Sequence, residues 1–361
     1  MLEPTDEQLA FKAEVRRYLE RAWPTTVSRV AVEGGPPFDT TAWAGLARMG
    51  ATGLLVPAEY GGAGASVVEA AFVCEELGRL VVAAPYLSSA VLAARLLTGL
   101  GGEVAERYLP GIADGTTVAT VAFLDDHGRW NPDGLGVHAE NGRLTGRVAY
   151  VTDLPSADLV LVVAPGRDGL GVYPVAPDAP GVTVGTLDCL DRTQPVGALR
   201  LDDVVVEGAA IEAEVVAEVV GVAIACLAAS QVGGAERCLD LSVSYATQRV
   251  QFGRIIGSYQ AIKHRCADML ARVESARSAA HHLIDAVATG EDVPVAASLA
   301  KAFCSDAYVA CAGDLVQIHG GIGFTWEHDA HLYLKRAKAS AHLFGDPTHH
   351  RDLLARHLSG R

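Results

Sequence analysis

The spacing of apolar residues changes twice along this chain, near Thr116 and again near Glu212. Before Thr116 they recur at helical spacing. Leu9, Phe11, Val15, Tyr18 and Leu19 form one stripe in Thr5–Arg21, with Thr5 placed to cap it. Further helices are expected over Trp43–Met49, Val67–Leu80 with Ser66 as its cap, Ser88–Thr98 and Glu103–Gly111. Pro57 and the glycines of LLVPAEYGGAGAS interrupt this pattern between residues 54 and 66. Glu69, Glu75 and Glu76 are assigned to the polar side of the Val67–Leu80 helix.

From Thr116 the period becomes two. Strands are expected at Thr117–Phe123, Gly136–Glu140, Arg143–Val151, Leu159–Ala164, Gly169–Pro174, Gly181–Thr186 and Ala198–Val206. Short strands separated by Gly, Pro and Asp turns point to an antiparallel β domain. The helical period then returns over Glu212–Arg249, Gly257–Thr289, Val293–His319, Ala330–Phe344 and Thr348–Leu358. Long helices with short connections suggest an antiparallel bundle. The expected class is therefore α+β: a helical domain at 1–115, a β domain at 116–210 and a four-helix-type bundle at 211–361.

A chain of 361 residues, half of them hydrophobic, buries a sizeable core. A net charge of −14 argues against nucleic acid, whose phosphates need a basic footprint. The cysteines at 74, 189, 226, 238, 266, 304 and 311 are odd in number and show no CxxC spacing, as expected of reduced thiols in a cytoplasmic protein. The charged, amphipathic start does not read as a signal peptide. The most apolar run, Val215–Ala235, is interrupted by Glu218 and Gln231, so a buried core helix is expected rather than a membrane span. The histidines of the C-terminal region fit no metal template such as HExxH. Ser and Cys lack a nucleophile context, and Trp326 reads as packing. Arg336 and Lys338 read as partners for carboxylates on neighbouring helices.

Two clusters carry chemistry. The first is YATQRVQFGRIIGSYQ, residues 245–260, where a helical pattern breaks and resumes. Arg249 offers a planar, permanently charged fork suited to phosphate oxygens. Gln251 adds an amide, Phe252 a flat apolar face and Gly253 close backbone approach. Arg254, just past these, reads as solvated. The second cluster is QIHGGIGF, with Gln317 at the mouth of a turn containing Gly320, Gly321 and Gly323.

In this order the two clusters resemble the C-terminal domain of the acyl-CoA dehydrogenase family, whose pattern is RxxFGxxIxxxQ followed by QxxGGxGF. The EYGGAG turn and the α, β, α order are similar to the same family. The resemblance implies FAD as cofactor. It also implies α,β-desaturation of an acyl-CoA thioester: a carboxylate takes the α-proton and the flavin accepts a hydride from the β-carbon.

The residues for that chemistry are missing. Against the family's YEGT-like turn, Phe344 stands at the base position; against its alternative position, Ala223 does, with Ile224 where an Arg is usual. Asp346 is the nearest carboxylate, but two residues along a helix end turn it about 200° away. Its other expected role is N-cap of the final helix. The family's TEPxAGSD-like flavin loop is replaced by AFLDDHGRWNPDG, in which Asp125 and Asp126 would repel a phosphate or flavin anion. Its W-[IV]-[ST] strand is represented by Tyr150, Val151 and Thr152.

The resemblance is therefore to the non-catalytic subunit of bacterial α2β2 acyl-CoA dehydrogenases of steroid side-chain breakdown. LFGDPTHHR at 343–351 resembles the ending of those subunits. Arg249, Gln251, Phe252, Gln317, Gly320, Gly321 and Gly323 would then complete the FAD site of a catalytic partner. That partner would also hold most of the acyl-CoA. Arg249 would meet the pyrophosphate, Phe252 the adenine or ribitol, and Gln317 with the glycines the adenosine side. Two other readings stay open: a self-sufficient homo-oligomer using Asp346, and a cofactor-free scaffold.

Overall fold

The computed structural model describes residues 4–125, 127–167 and 169–360. Thr5 begins helix α1 (Asp6–Ala22) through a reciprocal cap: its hydroxyl accepts from the Gln8 amide, and the Gln8 side chain accepts from its own amide. Ser66 and Glu69 repeat the device at α4 (Val67–Arg79). Between them lie α2 (Thr25–Val32), which the spacing did not indicate, and α3 (Thr40–Arg48). The expected Ser88–Thr98 helix is instead a π-helical segment, Tyr86–Ala93, that relaxes into α5 (Ala94–Leu100), and α6 (Gly102–Ala113) follows.

Glu75 and Glu76 do not face water. They are 4% and 1% exposed, because α1 and a later helix pack over that side of α4. Lys12 lies 2.5 Å from Glu75, Arg277 lies 2.7 Å from it, and Arg16 forks onto Glu76 with two 2.7 Å bonds. Buried carboxylates demand such partners.

The middle region holds strands β1 (Ala119–Ala122), β2 (Val137–Glu140), β3 (Arg143–Thr152), β4 (Leu159–Gly166), β5 (Gly169–Val175), β6 (Val182–Thr186), β7 (Val196–Val205) and β8 (Ala209–Ala210). They form two four-stranded sheets, ordered β1-β4-β5-β8 and β2-β3-β7-β6. Neighbours are antiparallel except β1 and β4, which run parallel because the β2–β3 hairpin of the other sheet intervenes between them. Alternating residues from both sheets, including Val137, Leu144, Val160, Val162 and Leu199, form the core between them.

The C-terminal region is built on α7 (Ala213–Gln248), α8 (Gln260–Thr289) and α9 (Val293–His319), with the shorter α10 (Ala330–Ser340) and α11 (Pro347–Leu358) against α9. Helices α7 and α9 are long and apolar enough to cross a membrane, yet 78% and 67% of their apolar windows are buried inside the protein. Helix α7 lies directly on α4. A methyl at Gly233 would meet the Glu75 carbonyl oxygen at 1.9 Å, and one at Gly78 the Ser230 carbonyl oxygen at 2.0 Å. Two glycines thus set the distance between the first and last thirds of the chain. Arg336 of α10 is also buried. Its partners are Asp191 at 2.6 Å, Thr193 and the Val82 carbonyl, so it reaches a loop of the β region rather than a neighbouring helix.

Candidate functional site

The break between α7 and α8 is a small β-hairpin. Strand β9 (Val250–Gln251) pairs with β10 (Arg254–Ile255), with Val250 opposite Ile255 and Gln251 opposite Arg254. Phe252 and Gly253 make the turn with φ of 51° and 79°, the pair of positive values that a two-residue hairpin favours. Phe252 is 93% exposed. Arg249 is exposed at the base of the hairpin, and among the described residues no carboxylate pairs with it.

The glycine cluster forms a tight 3-10 turn, Gly320–Phe324, at the end of α9. Gly320 has φ 60° and ψ −137°, a conformation essentially closed to side-chain-bearing residues. No atom lies within 4 Å of where a Cβ would stand on Gly320 or Gly321, so that backbone is open to a ligand. Gly323 is buried and approaches the Val316 carbonyl; Gln317 and Phe324 are exposed.

The fold joins the two clusters. Tyr245, one turn before Arg249, stacks on His319, the residue before Gly320, at 4.2 Å between ring centroids. His319 in turn lies against His328. Burial holds the His319 imidazole below its ordinary pKa, and its Nδ1–H donates to the Leu315 carbonyl at 2.9 Å.

The two positions that the family resemblance assigns to the base are apolar in space. Ala223 is fully buried in α7. Phe344 is 3% exposed, adopts φ 60°, and packs 6.3 Å from Phe123, which lies 6.1 Å from Trp130. Phe344 also walls a cavity of about 870 Å³ bounded by Gly221, Ile224, Val293 and Leu353. Asp346 is the N-cap of α11, accepting from the His349 amide at 2.8 Å. That bond holds its carboxyl below the usual range, which makes it a poorer proton acceptor.

A second cavity, of about 770 Å³, lies beside Tyr150, Thr152, Arg129, His342 and Leu343, where the family resemblance puts a flavin ring. The loop at its edge is closed on itself. The Asp125 side chain accepts from the amides of His127 and Arg129 at 2.8 and 2.9 Å, and its carbonyl accepts from Gly128. The Arg129 guanidinium lies 3.3 Å from the same carboxylate. Three successive amides, the donors that the resemblance assigns to a flavin ring, are thus used internally, so this loop does not fit a flavin bound here. Asp125 acts by holding the loop rather than by repelling an anion from it; Asp126 lies outside the described residues. Tyr150 sits on a bulge of β3 with φ 58° and is half exposed.

Sequence reasoning passed over Lys301, and weighed His350 only with the other C-terminal histidines as a non-ligand. Lys301, fully buried in α9, donates to Ser305 and to the carbonyls of Ala341 and Gly345 at 3.1, 2.9 and 2.9 Å. Burial lowers its pKa to about 7. The His350 Nε2–H donates to the Phe344 carbonyl at 3.0 Å. Together they pin the segment that presents Phe344. The one available signal was a lysine inside the apolar run Val293–Ala312.

Known proteins match along the chain. Residues 5–116 match the family description "Acyl-CoA dehydrogenase, N-terminal domain" and residues 214–359 "Acyl-CoA dehydrogenase, C-terminal domain". "Acyl-CoA dehydrogenase IpdE2" of Mycolicibacterium smegmatis is 34% identical over 344 residues, 95% of this chain and 96% of that protein. The chain belongs to the acyl-CoA dehydrogenase family. Members of this family are FAD-dependent flavoproteins with a helical, β and helical arrangement. Among solved structures, a chain of the "ChsE4-ChsE5 complex from Mycobacterium tuberculosis" superposes with TM-score 0.89 at 28% identity, covering 99% of both chains. A chain of the "Tcur3481-Tcur3483 steroid ACAD" does so with the same score and identity over 98% of each.

Proposed function

We propose that this acyl-CoA dehydrogenase chain is the non-catalytic subunit of a cytoplasmic, heteromeric, FAD-dependent enzyme, and that it completes the flavin site of a catalytic partner. The observation that carries the reading is Phe344, a buried ring packed on Phe123 where the reaction needs a carboxylate. Ala223 supplies no substitute, and Asp346 is committed to capping α11. The self-closed loop around Asp125 supports the same reading, since it withholds its amides from a flavin in this chain.

The hairpin and the glycine turn remain available to a cofactor bound by a neighbour. Their donor set suits the ADP part of FAD: an unpaired guanidinium at Arg249, an exposed ring at Phe252, open backbone at Gly320 and Gly321, and the Gln317 amide. FAD supplies the hydride acceptor for the partner's chemistry. Two of the similar solved structures are named as pairs of gene products, one a steroid enzyme, which supports an α2β2 assembly acting on a bulky acyl-CoA such as a steroid side-chain thioester. An apolar groove along α7 and α8, formed by Leu239, Val243, Cys266 and Leu270, supports association through the bundle.

The test is expression of the chain alone and together with a family member that has its Glu. Alone, it is expected to be colourless and inactive with any acyl-CoA and added FAD. With the partner, yellow protein that reduces an electron acceptor is expected. Turnover by the isolated chain would overturn the proposal in favour of a self-sufficient enzyme using Asp346. Failure of any partnered form to bind flavin would favour a scaffold.

A further inference from the structure

The sequence motif ends its cationic contribution at Arg249, but the hairpin geometry adds a second cation. Residues directly opposite across an antiparallel pair share a face, and alternate residues along a strand return to that face. Gln251 is opposite Arg254, and the Ile256 amide donates to the Arg249 carbonyl at 2.8 Å, which extends the ladder by one residue. Arg249, Gln251 and Arg254 therefore project from one face, while Val250 and Ile255 project from the other.

Arg254 is exposed but it is not free. Its guanidinium carbon lies 3.9 Å from the centre of the Tyr259 ring. The Tyr259 hydroxyl donates to the Gln251 carbonyl at 3.3 Å, which fixes the ring beneath the hairpin. Among the described residues no carboxylate pairs with Arg254. A stacked guanidinium keeps its hydrogen-bonding edge outward and loses less rotamer freedom when that edge is used. Diagonal neighbours across a hairpin are about 7–8 Å apart at the backbone, a gap that two arginines close easily. A pyrophosphate carries two negative charges, and this chain is strongly acidic elsewhere.

We infer that Arg254, held over the Tyr259 ring, is a second phosphate-binding residue of the hairpin and acts beside Arg249 on the pyrophosphate of the partner's FAD. This rests on the trans-site reading above. The two phosphoryl groups are then met by two guanidinium groups on one face, which they share with Gln251, whose Nε2 donates to the Val250 carbonyl at 2.8 Å.

The experiment is an FAD titration of the reconstituted complex, followed by flavin fluorescence at low and high salt, with assembly checked by light scattering. Arg254→Ala is expected to weaken FAD about tenfold, as loss of a hydrogen bond to a charged group does. That loss should shrink at high salt. Arg254→Lys keeps the charge but not the planar stack and should recover only part of the affinity. Tyr259→Leu should weaken FAD in the same direction, and Tyr259→Phe, which keeps the ring but loses the bond that fixes it, should weaken FAD less. If Arg249→Ala loses FAD while Arg254→Ala does not, this inference falls and the trans-site reading stands. If neither variant loses FAD, both fall. An equal loss in Lys263→Ala, at an exposed cation of the first turn of α8, would reduce the effect to net charge and overturn the assignment. So would failure of the Arg254→Ala complex to assemble, which would make the residue an interface anchor.

Discussion

Tyr245 and His319 stack with their ring centroids 4.2 Å apart and their planes inclined by 23°, fastening the end of α7 to the end of α9. The hairpin begins one turn after the first residue and the glycine turn begins directly after the second. Aromatic pairs contribute about 0.5–1.5 kcal/mol beyond burial, equivalent to roughly twofold to twelvefold in an equilibrium. Tyr245→Ala should therefore weaken FAD in the reconstituted complex by about that factor while leaving assembly intact. A flavin titration beside light scattering measures both, and an unchanged affinity would mean that the two clusters are positioned independently.

Arg249→Ala removes a charge-assisted bond worth about 1.5–3 kcal/mol. FAD affinity in the complex is expected to fall about 10–150-fold. Phe252→Ala and Gln317→Ala should follow with smaller losses, because stacking and neutral amides contribute less than a charged fork. Full flavin occupancy of the Arg249→Ala complex at limiting FAD would end the proposal that this chain builds half of its partner's site.

Asp153 and Lys301 give the chain an unusual pH response. Asp153 is buried beside Ser88, and burial raises its pKa from 3.8 to about 7. The folded chain then holds this proton more tightly than the unfolded one. The contribution to stability is complete below about pH 4 and is lost as the pH rises through 7, with an upper magnitude of about 4 kcal/mol. Lys301 has the opposite slope. Its folded pKa of about 7 lies below the ordinary 10.5, so its contribution grows from pH 7 to 10.5. Denaturant titrations at pH 5, 7 and 9 should show the acid-side fall vanish in Asp153→Asn. A slope identical to the unmodified chain's would mean that Asp153 is ionised in the fold.

Gly233→Ala inserts a methyl 1.9 Å from the Glu75 carbonyl oxygen, a backbone atom that cannot yield cheaply. A loss of about 1–3 kcal/mol is expected from such overpacking, more if α4 and α7 separate. Thermal melting of the variant should show a lower midpoint; an unchanged one would mean that the two helices slide without cost.

The long elements were legible because their periods are long enough to read. All seven expected strands and the five C-terminal helices occur within a few residues of their predicted spans. Strands β9 and β10 were not, since two residues carry no period, and so the shared face of Arg249 and Arg254 was hidden. Helix α2 follows Pro24 and spans eight residues, too few for a clear stripe. Glu75 and Glu76 looked solvent-facing because their covering cations come from α1 and α8, far away in sequence. The pinning of Phe344 by Lys301 and His350 likewise exists only once α9, α10 and α11 meet. Asp125 was read by its charge, whereas its role follows from three amides within four residues of it.

The loop around Asp125 has a consequence for how such a subunit is made. A segment whose hydrogen bonds are satisfied from within requires no bound flavin to take its final shape. In the proposed assembly the chain's own maturation would thereby be uncoupled from the supply of cofactor, and it would accumulate ready-formed while the partner waits for FAD. Flavin scarcity would then limit the number of working enzymes without sending this half of each one to degradation.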